Sequence, residues 1–239
     1  MSEKVPFRIV EDRGEKRMTM DSVGFAPEGL EMAGFEHVAL VEIEQEAQRT
    51  LQLNRPHWNT LENGDVREFS GKPFKGIDLL AGGVRCPPFS VAGKGDDRDL
   101  FPEAIRLVDE IRPRAVMLEN VRGLLDSVFD AYRKNIQDNL RKLGYVAEWR
   151  LLNASDFGVP QLRPRVVFVA IRKDLASEFE WPMPLGHRPP TVGECLHDLM
   201  AERGWRVANR WKEWANDIAP TLVGGSKKYG GPDLNNEKP

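Results

Sequence analysis

The chain has 239 residues, of which 41% are hydrophobic and 30% charged. That balance fits a folded domain of ordinary to large size and excludes a disordered chain. A net charge of −3 gives no global basic field of the kind that marks many nucleic-acid binders. Cys86 and Cys195 are the only two cysteines, too few for a disulfide framework or a zinc knuckle. No apolar run approaches the roughly 18–20 residues of a membrane span. The charged N-terminus lacks the apolar segment of a secretory signal, so a cytoplasmic protein is expected.

Residues 1–20 are charge-rich without a clear period and read as a loose arm. From residue 28 to 171 short β-prone runs alternate with helical patterns. His37–Val41 is the first such run. Glu44–Asn54 follows as a helix stopped by Pro56. Ile77–Ala81 is an apolar run ending in Gly82-Gly83. Leu100, Ala104, Leu107, Val108 and Ile111 recur at helical spacing before Pro113. Ala115–Leu118 is continuously apolar, as in a strand covered on both faces. Phe129–Leu143 reads as a helix ended by Gly144, and Tyr145–Leu152 and Val166–Ile171 as strands. The alternation predicts an α/β domain with a mostly parallel, doubly wound sheet and an antiparallel last strand.

Such sheets bind ligands beyond the carboxyl ends of their strands. Glu42 and Ile43 follow the first predicted strand, and Asp65 follows Asn63-Gly64. Cys86 comes after Gly82-Gly83, and Glu119 and Asn120 come after Leu118. Gln161, Arg163 and Arg165 lie in the polar loop before the last strand. One edge of the sheet would then carry acids, a thiol and two guanidiniums. The prolines of Cys86-Pro87-Pro88-Phe89-Ser90 stiffen the chain around the thiol. Nearby cations favour the thiolate, the nucleophilic form, and Arg85, Arg163 and Arg165 are candidates for that field. A glutamate ending an apolar strand is partly desolvated, which suits acid–base work.

Gly83-Val84-Arg85-Cys86-Pro87-Pro88-Phe89-Ser90, Glu119-Asn120-Val121 and the run from Asn153 to Arg165 closely resemble three motifs of the DNA cytosine-5 methyltransferases, in that family's order. The resemblance runs from about Gly29 to Ile171. It implies a Rossmann-like methyltransferase fold, S-adenosylmethionine as cofactor, double-stranded DNA as partner and a place in a restriction–modification system. It implies a catalytic set of Cys86 as nucleophile, Glu119 at N3 and the amine of a flipped cytosine, Arg165 at O2, and Arg163 orienting Glu119 and the base. For the cofactor it implies Glu42 at the ribose and Ile43 at the adenine. Asp65 would take the adenine amine with Val66 beside it, and Leu100 and Gly24 would touch the cofactor too. Ser90, Asn120 and Gln161 are placed toward DNA, and Lys227 and Lys228 toward phosphates.

The stretch Thr19–Gly29 departs from the family's glycine-rich first motif, with no apolar strand before it, and Arg85 replaces the usual proline before the nucleophile. Residues 21–180 are expected to form the catalytic domain, and 181–239 the start of a small target-recognition region. The family's later motifs are not found in this chain. A truncated non-catalytic remnant, or one half of a split enzyme completed by a second polypeptide, is therefore the alternative; otherwise a monomer is expected. A thiol hydrolase would need a histidine base on the same edge, and none of the four histidines is placed there. Cys195, His57-Trp58 and His197 read as packing or surface groups. No His/Cys cluster has metal spacing, so no metal is expected.

Overall fold

The computed structural model describes residues 16–19, 27–61, 64–84 and 99–221. It divides into two compact units: residues 1–151 with 165–183, and residues 152–164 with 184–239.

The first unit is built on a six-stranded sheet. Its strands are β1 (Lys16–Thr19), β2 (Phe35–Ala39), β3 (Leu79–Gly83), β4 (Ala115–Val121), β5 (Tyr145–Asn153) and β6 (Pro164–Arg172). They stand in the order β2-β1-β3-β4-β6-β5. β1 is parallel to both β2 and β3, and β3 is parallel to β4. β6 runs antiparallel to β4, as expected for the last strand. The first crossover steps from β1 out to β2, and the later ones step the other way through β3 and β4. The β1/β3 boundary is therefore a topological switch point, where crevices open beyond the carboxyl ends of the strands.

The apolar runs become strands because both sheet faces are covered. Leu80, Val116, Leu118, Phe168 and Ala170 point into one core, with Phe101, Leu107, Val108, Ile111, Ile136 and Leu140. Leu79, Ala81, Ala115, Met117, Val169 and Ile171 alternate to the other face, where they meet Leu30 and Phe35. The helices of the first core are α3 (Phe101–Ile111) and α4 (Asp130–Lys142). α3 buries Phe101, Ala104, Leu107, Val108 and Ile111, one stripe at helical period. Each large apolar side chain buried this way contributes roughly 1.5–3 kcal/mol. Leu30 belongs to α1 (Pro27–Met32), and α2 (Gln45–Asn54) follows β2. α2 buries none of its residues.

β1 corrects the reading of a loose arm at Lys16–Thr19, the part of residues 1–20 that the structure describes. Lys16–Thr19 pair on both sides, with β2 and with β3. Four residues flanked by charges carry no periodicity, so pairing with neighbours decides their state.

In the second unit α5 (Val192–Ala201) and α6 (Ala208–Trp214) form a helical pair. The start of α5 lies against the end of α6. Gly193 donates its amide to the Ala215 carbonyl at 2.8 Å, and a Cβ on Gly193 would fall 2.4 Å from the Lys212 carbonyl oxygen. A capping box closes α5 through Thr191 and Glu194. Residues 152–164 belong to this unit, tied to it by the Leu162 amide on the Ala219 carbonyl and the Ala219 amide on Pro160. Trp181, grouped by sequence with the recognition region, instead belongs to the first unit. There its indole donates to Glu148, and Arg150 lies 4.8 Å over its ring. Among the described residues no helix is long and apolar enough to cross a membrane.

Candidate active site

The carboxyl ends of β3 and β4 carry the first cluster. In the antiparallel ladder Val121 faces Arg165 and Glu119 faces Val167. Glu119 and Arg165 are therefore diagonal neighbours on one face, within reach of long side chains. Arg165 Nε meets Glu119 Oε1 at 2.5 Å, with side chains only 25% and 16% exposed. On the other side Glu119 stands beside Gly83 of β3. Gly83 itself brings no side chain toward the carboxylate.

Asn120 points to the opposite face and is buried. Its Nδ2 donates to the Val84 carbonyl at 2.7 Å, and its Oδ1 accepts the Val121 amide at 2.8 Å. The sequence placed Asn120 toward DNA; in the structure its amide holds the main chain two residues before Cys86. Val84 is itself buried, so its carbonyl needs such a protein donor.

The second cluster lies beyond β2. An open cavity of about 470 Å³ is lined by Ile43, Gln45, Gln48, Arg49, Gln52, Gly64 and Asp65. The four α2 residues among these repeat at three- and four-residue spacing, so one polar face of the helix borders the cavity. Glu42 is 4% exposed and accepts the Glu44 amide at 2.8 Å. The Gln48 side-chain amide donates to the Glu42 carbonyl. Gly64 lies against that same carbonyl: a Cβ there would fall 1.7 Å from its oxygen. The two acid-bearing segments therefore touch through a position that only glycine can occupy.

Asp65 is engaged by Arg67, whose Nη2 stands 2.5 Å from Oδ2 and whose Nε and amide reach Oδ1 at 2.9 and 3.0 Å. The Arg67 bonds hold its carboxyl below the usual carboxylate range. Val66 packs against the first core, as does Leu100, the N-cap of α3. Asp99, next to Leu100, accepts the Phe101 amide at 3.1 Å and the Tyr132 hydroxyl at 2.6 Å.

The structure thus brings Glu119 together with Arg165, and Ile43 together with Asp65. Arg163 and Gln161 belong to the second unit. Arg163 has φ +34, a left-handed conformation, and its carbonyl accepts the Ala154 amide at 3.4 Å. The Gln161 amide bonds the Val159 carbonyl. Gly24, Cys86, Ser90, Lys227 and Lys228 lie outside the described residues. Among the described residues no group of His, Cys, Asp and Glu could hold a metal ion. Sequence reasoning missed Gln48 and Gly64. The Asn-Gly turn before Asp65 was a signal for Gly64, but the carbonyl it packs against is 22 residues away.

Known proteins resemble this chain along most of its length. The sequence profile of the C-5 cytosine-specific DNA methylase family matches residues 19–237. The type II methyltransferase M.NgoMIV of Neisseria gonorrhoeae is 59% identical over 199 residues, 82% of this chain and 64% of the relative. M.NaeI of Lentzea aerocolonigenes is 55% identical over 213 residues, 86% of this chain and 51% of that protein. The chain thus spans between half and two thirds of their lengths. Two solved structures share the fold: a mutant DNMT2 of Spodoptera frugiperda and the Dnmt2 methyltransferase of S. pombe. The first has a TM-score of 0.62 at 24% identity, covering 75% of this chain and 59% of that one. The second has 0.60 at 17%, covering 89% and 74%. With the Glu119–Arg165 pair at the sheet's carboxyl edge and a profile match over most of its length, the chain belongs to the C-5 cytosine-specific DNA methylase family.

Proposed function

We propose that this chain carries the catalytic part of a DNA (cytosine-5-)-methyltransferase of a restriction–modification system. S-adenosylmethionine would be its cofactor and a cytosine turned out of duplex DNA its substrate. The observation that carries the reading is the Glu119–Arg165 pair beside Gly83, on the strand next to the one that leads to Cys86. The names of the two relatives, both type II methyltransferases, support the restriction–modification setting.

The cofactor fits the residues present. The cavity beyond β2 has an apolar wall at Ile43 and an acid at Asp65, and the buried acid Glu42 directly precedes Ile43 in the chain. Glu42 would take the ribose hydroxyls, Ile43 and Val66 the adenine faces, Asp65 the adenine amine, and Leu100 the cofactor from the α3 side. Gly24 would complete the same site. When bound, S-adenosylmethionine supplies the methyl group that C5 of cytosine takes up.

The chain's own residues do the rest. C5 of cytosine is a poor nucleophile until C6 is saturated. The Cys86 thiolate adds to C6, forming the S–C6 bond and moving the C5–C6 electron pair to C5. Glu119 gives N3 a proton as negative charge develops there, and Arg165 holds the carboxylate that remains. Once C5 carries the methyl group it loses its proton to solvent. The S–C6 bond then breaks, Cys86 leaves as thiolate, and the N3 proton returns to Glu119. The second unit would open the target-recognition region, with Gln161 and Lys227 and Lys228 toward DNA, and Ser90 beside the nucleophile.

A duplex pool containing 5-fluorocytosine tests this. Fluorine at C5 blocks the proton loss, so the thiol cannot leave. With S-adenosylmethionine present, a Cys86-linked adduct that survives denaturation is expected, and Cys86→Ala should abolish it. No adduct across a broad pool of sequences would overturn the proposal.

A further inference from the structure

Residues 64–71, which would present Asp65 and Val66 to the adenine, form turns and no strand or long helix of their own. Besides the Arg67 bonds to Asp65 and the Glu68 and Phe69 amides on the Asp65 carbonyl, Arg106, on the face of α3, ties them to that helix. Its Nη2 donates to the carbonyls of Val66 and Phe69, at 2.9 and 3.0 Å. Nε meets Glu103 at 2.7 Å and Nη1 meets Glu110 at 2.8 Å. The other oxygen of Glu110 accepts the Gly71 amide at 2.7 Å. Gly71 itself lies so close to α3 that a Cβ would fall 2.5 Å from Ile111 Cγ1. The guanidinium fork is planar and fixed, so one side chain can aim at both carbonyls while two carboxylates hold it still. The same helix carries Leu100 at its start.

We propose that Arg106 is a positioning residue for cofactor recognition. By holding the Val66 and Phe69 carbonyls it sets Asp65 against the adenine amine, and so gives the site its preference for a 6-amino purine. The proposal rests on the adenine role of Asp65 given above. Lysine keeps the charge but has a single ammonium in place of the fork.

The test uses the full chain, with calorimetry of S-adenosylhomocysteine and of its analogue bearing hydrogen in place of the 6-amino group. Wild type should bind the amino form about tenfold tighter, the size of one hydrogen bond to a charged group. In Arg106→Lys that preference should fall below about threefold, with the helical circular dichroism retained. A purely structural role would lower the melting temperature yet leave the preference of the folded protein intact, and that result would overturn the proposal. If Arg106→Lys does not fold, Glu110→Gln keeps the guanidinium and loosens one of its holders. A partial fall in the preference is then expected, and an unchanged preference overturns the proposal. A wild-type preference near one would overturn the Asp65 assignment itself, a failure distinct from a normal wild-type preference that the variants preserve.

Discussion

Asn120→Ala separates a main-chain clamp from a DNA contact. The substitution removes the donor to the Val84 carbonyl and the acceptor for the Val121 amide. Val121 is 49% exposed, so its amide can turn to water at little cost. Val84 is only 5% exposed, so its carbonyl is left buried without that donor. An unsatisfied buried group costs about 1–3 kcal/mol, which puts the expected loss near 2 kcal/mol. For a chain of this size that is a fall of about 4–8 °C in Tm. The Val84 carbonyl lies two residues from the nucleophile, and a displacement of 1 Å at a reacting group can cost about a hundredfold. Methyl transfer should therefore fall at least about tenfold in kcat, with KM for DNA unchanged. Thermal unfolding and steady-state kinetics at two or more salt concentrations read all three quantities. An unaltered Tm with a raised KM, and a log–log salt slope shallower by about one, would place Asn120 on a phosphate and refute the clamp.

Two further predictions follow from local geometry. Gly64→Ala should weaken S-adenosylmethionine binding at least about tenfold by calorimetry while the chain stays folded, because its Cβ cannot coexist with the Glu42 carbonyl oxygen 1.7 Å away; unchanged affinity would remove Gly64 from the cofactor site. At the start of α5, the Arg188 bond and then the Thr191 amide hold Glu194 down to about 2, from the usual 4.5. A carboxyl lowered on folding stabilises fully above its unfolded value, and that stability is lost as pH falls toward the folded one. The capping box should therefore persist from pH 5 into the region of pH 2. The Thr191 amide, which donates to Glu194, should titrate by NMR with a midpoint near 2, and a midpoint near 4.5 would refute the Arg188 pairing.

The sequence by itself determined the elements whose apolar pattern is long enough to announce them. β3, β4, α3 and α4 fall where continuous runs or a 3.6-residue stripe place them, because burial on both faces of a sheet selects such runs. Its motifs also singled out Glu119 and Arg165, expected just outside the strands; the structure extends β4 and β6 over both. What only the tertiary structure decided are polar groups whose partners lie far along the chain. The Glu103–Arg106–Glu110 spacing reads as a solvated ion-pair ladder on one helix face, and nothing in it points to the Val66 carbonyl 40 residues away. The glutamines of α2 look like a surface stripe until a cavity is found beside them. Lys16–Thr19 becomes a strand only because two neighbours offer their ladders. Apolar patterning is a local record of burial, whereas a hydrogen bond records only that two groups meet, and where they meet is set by the fold.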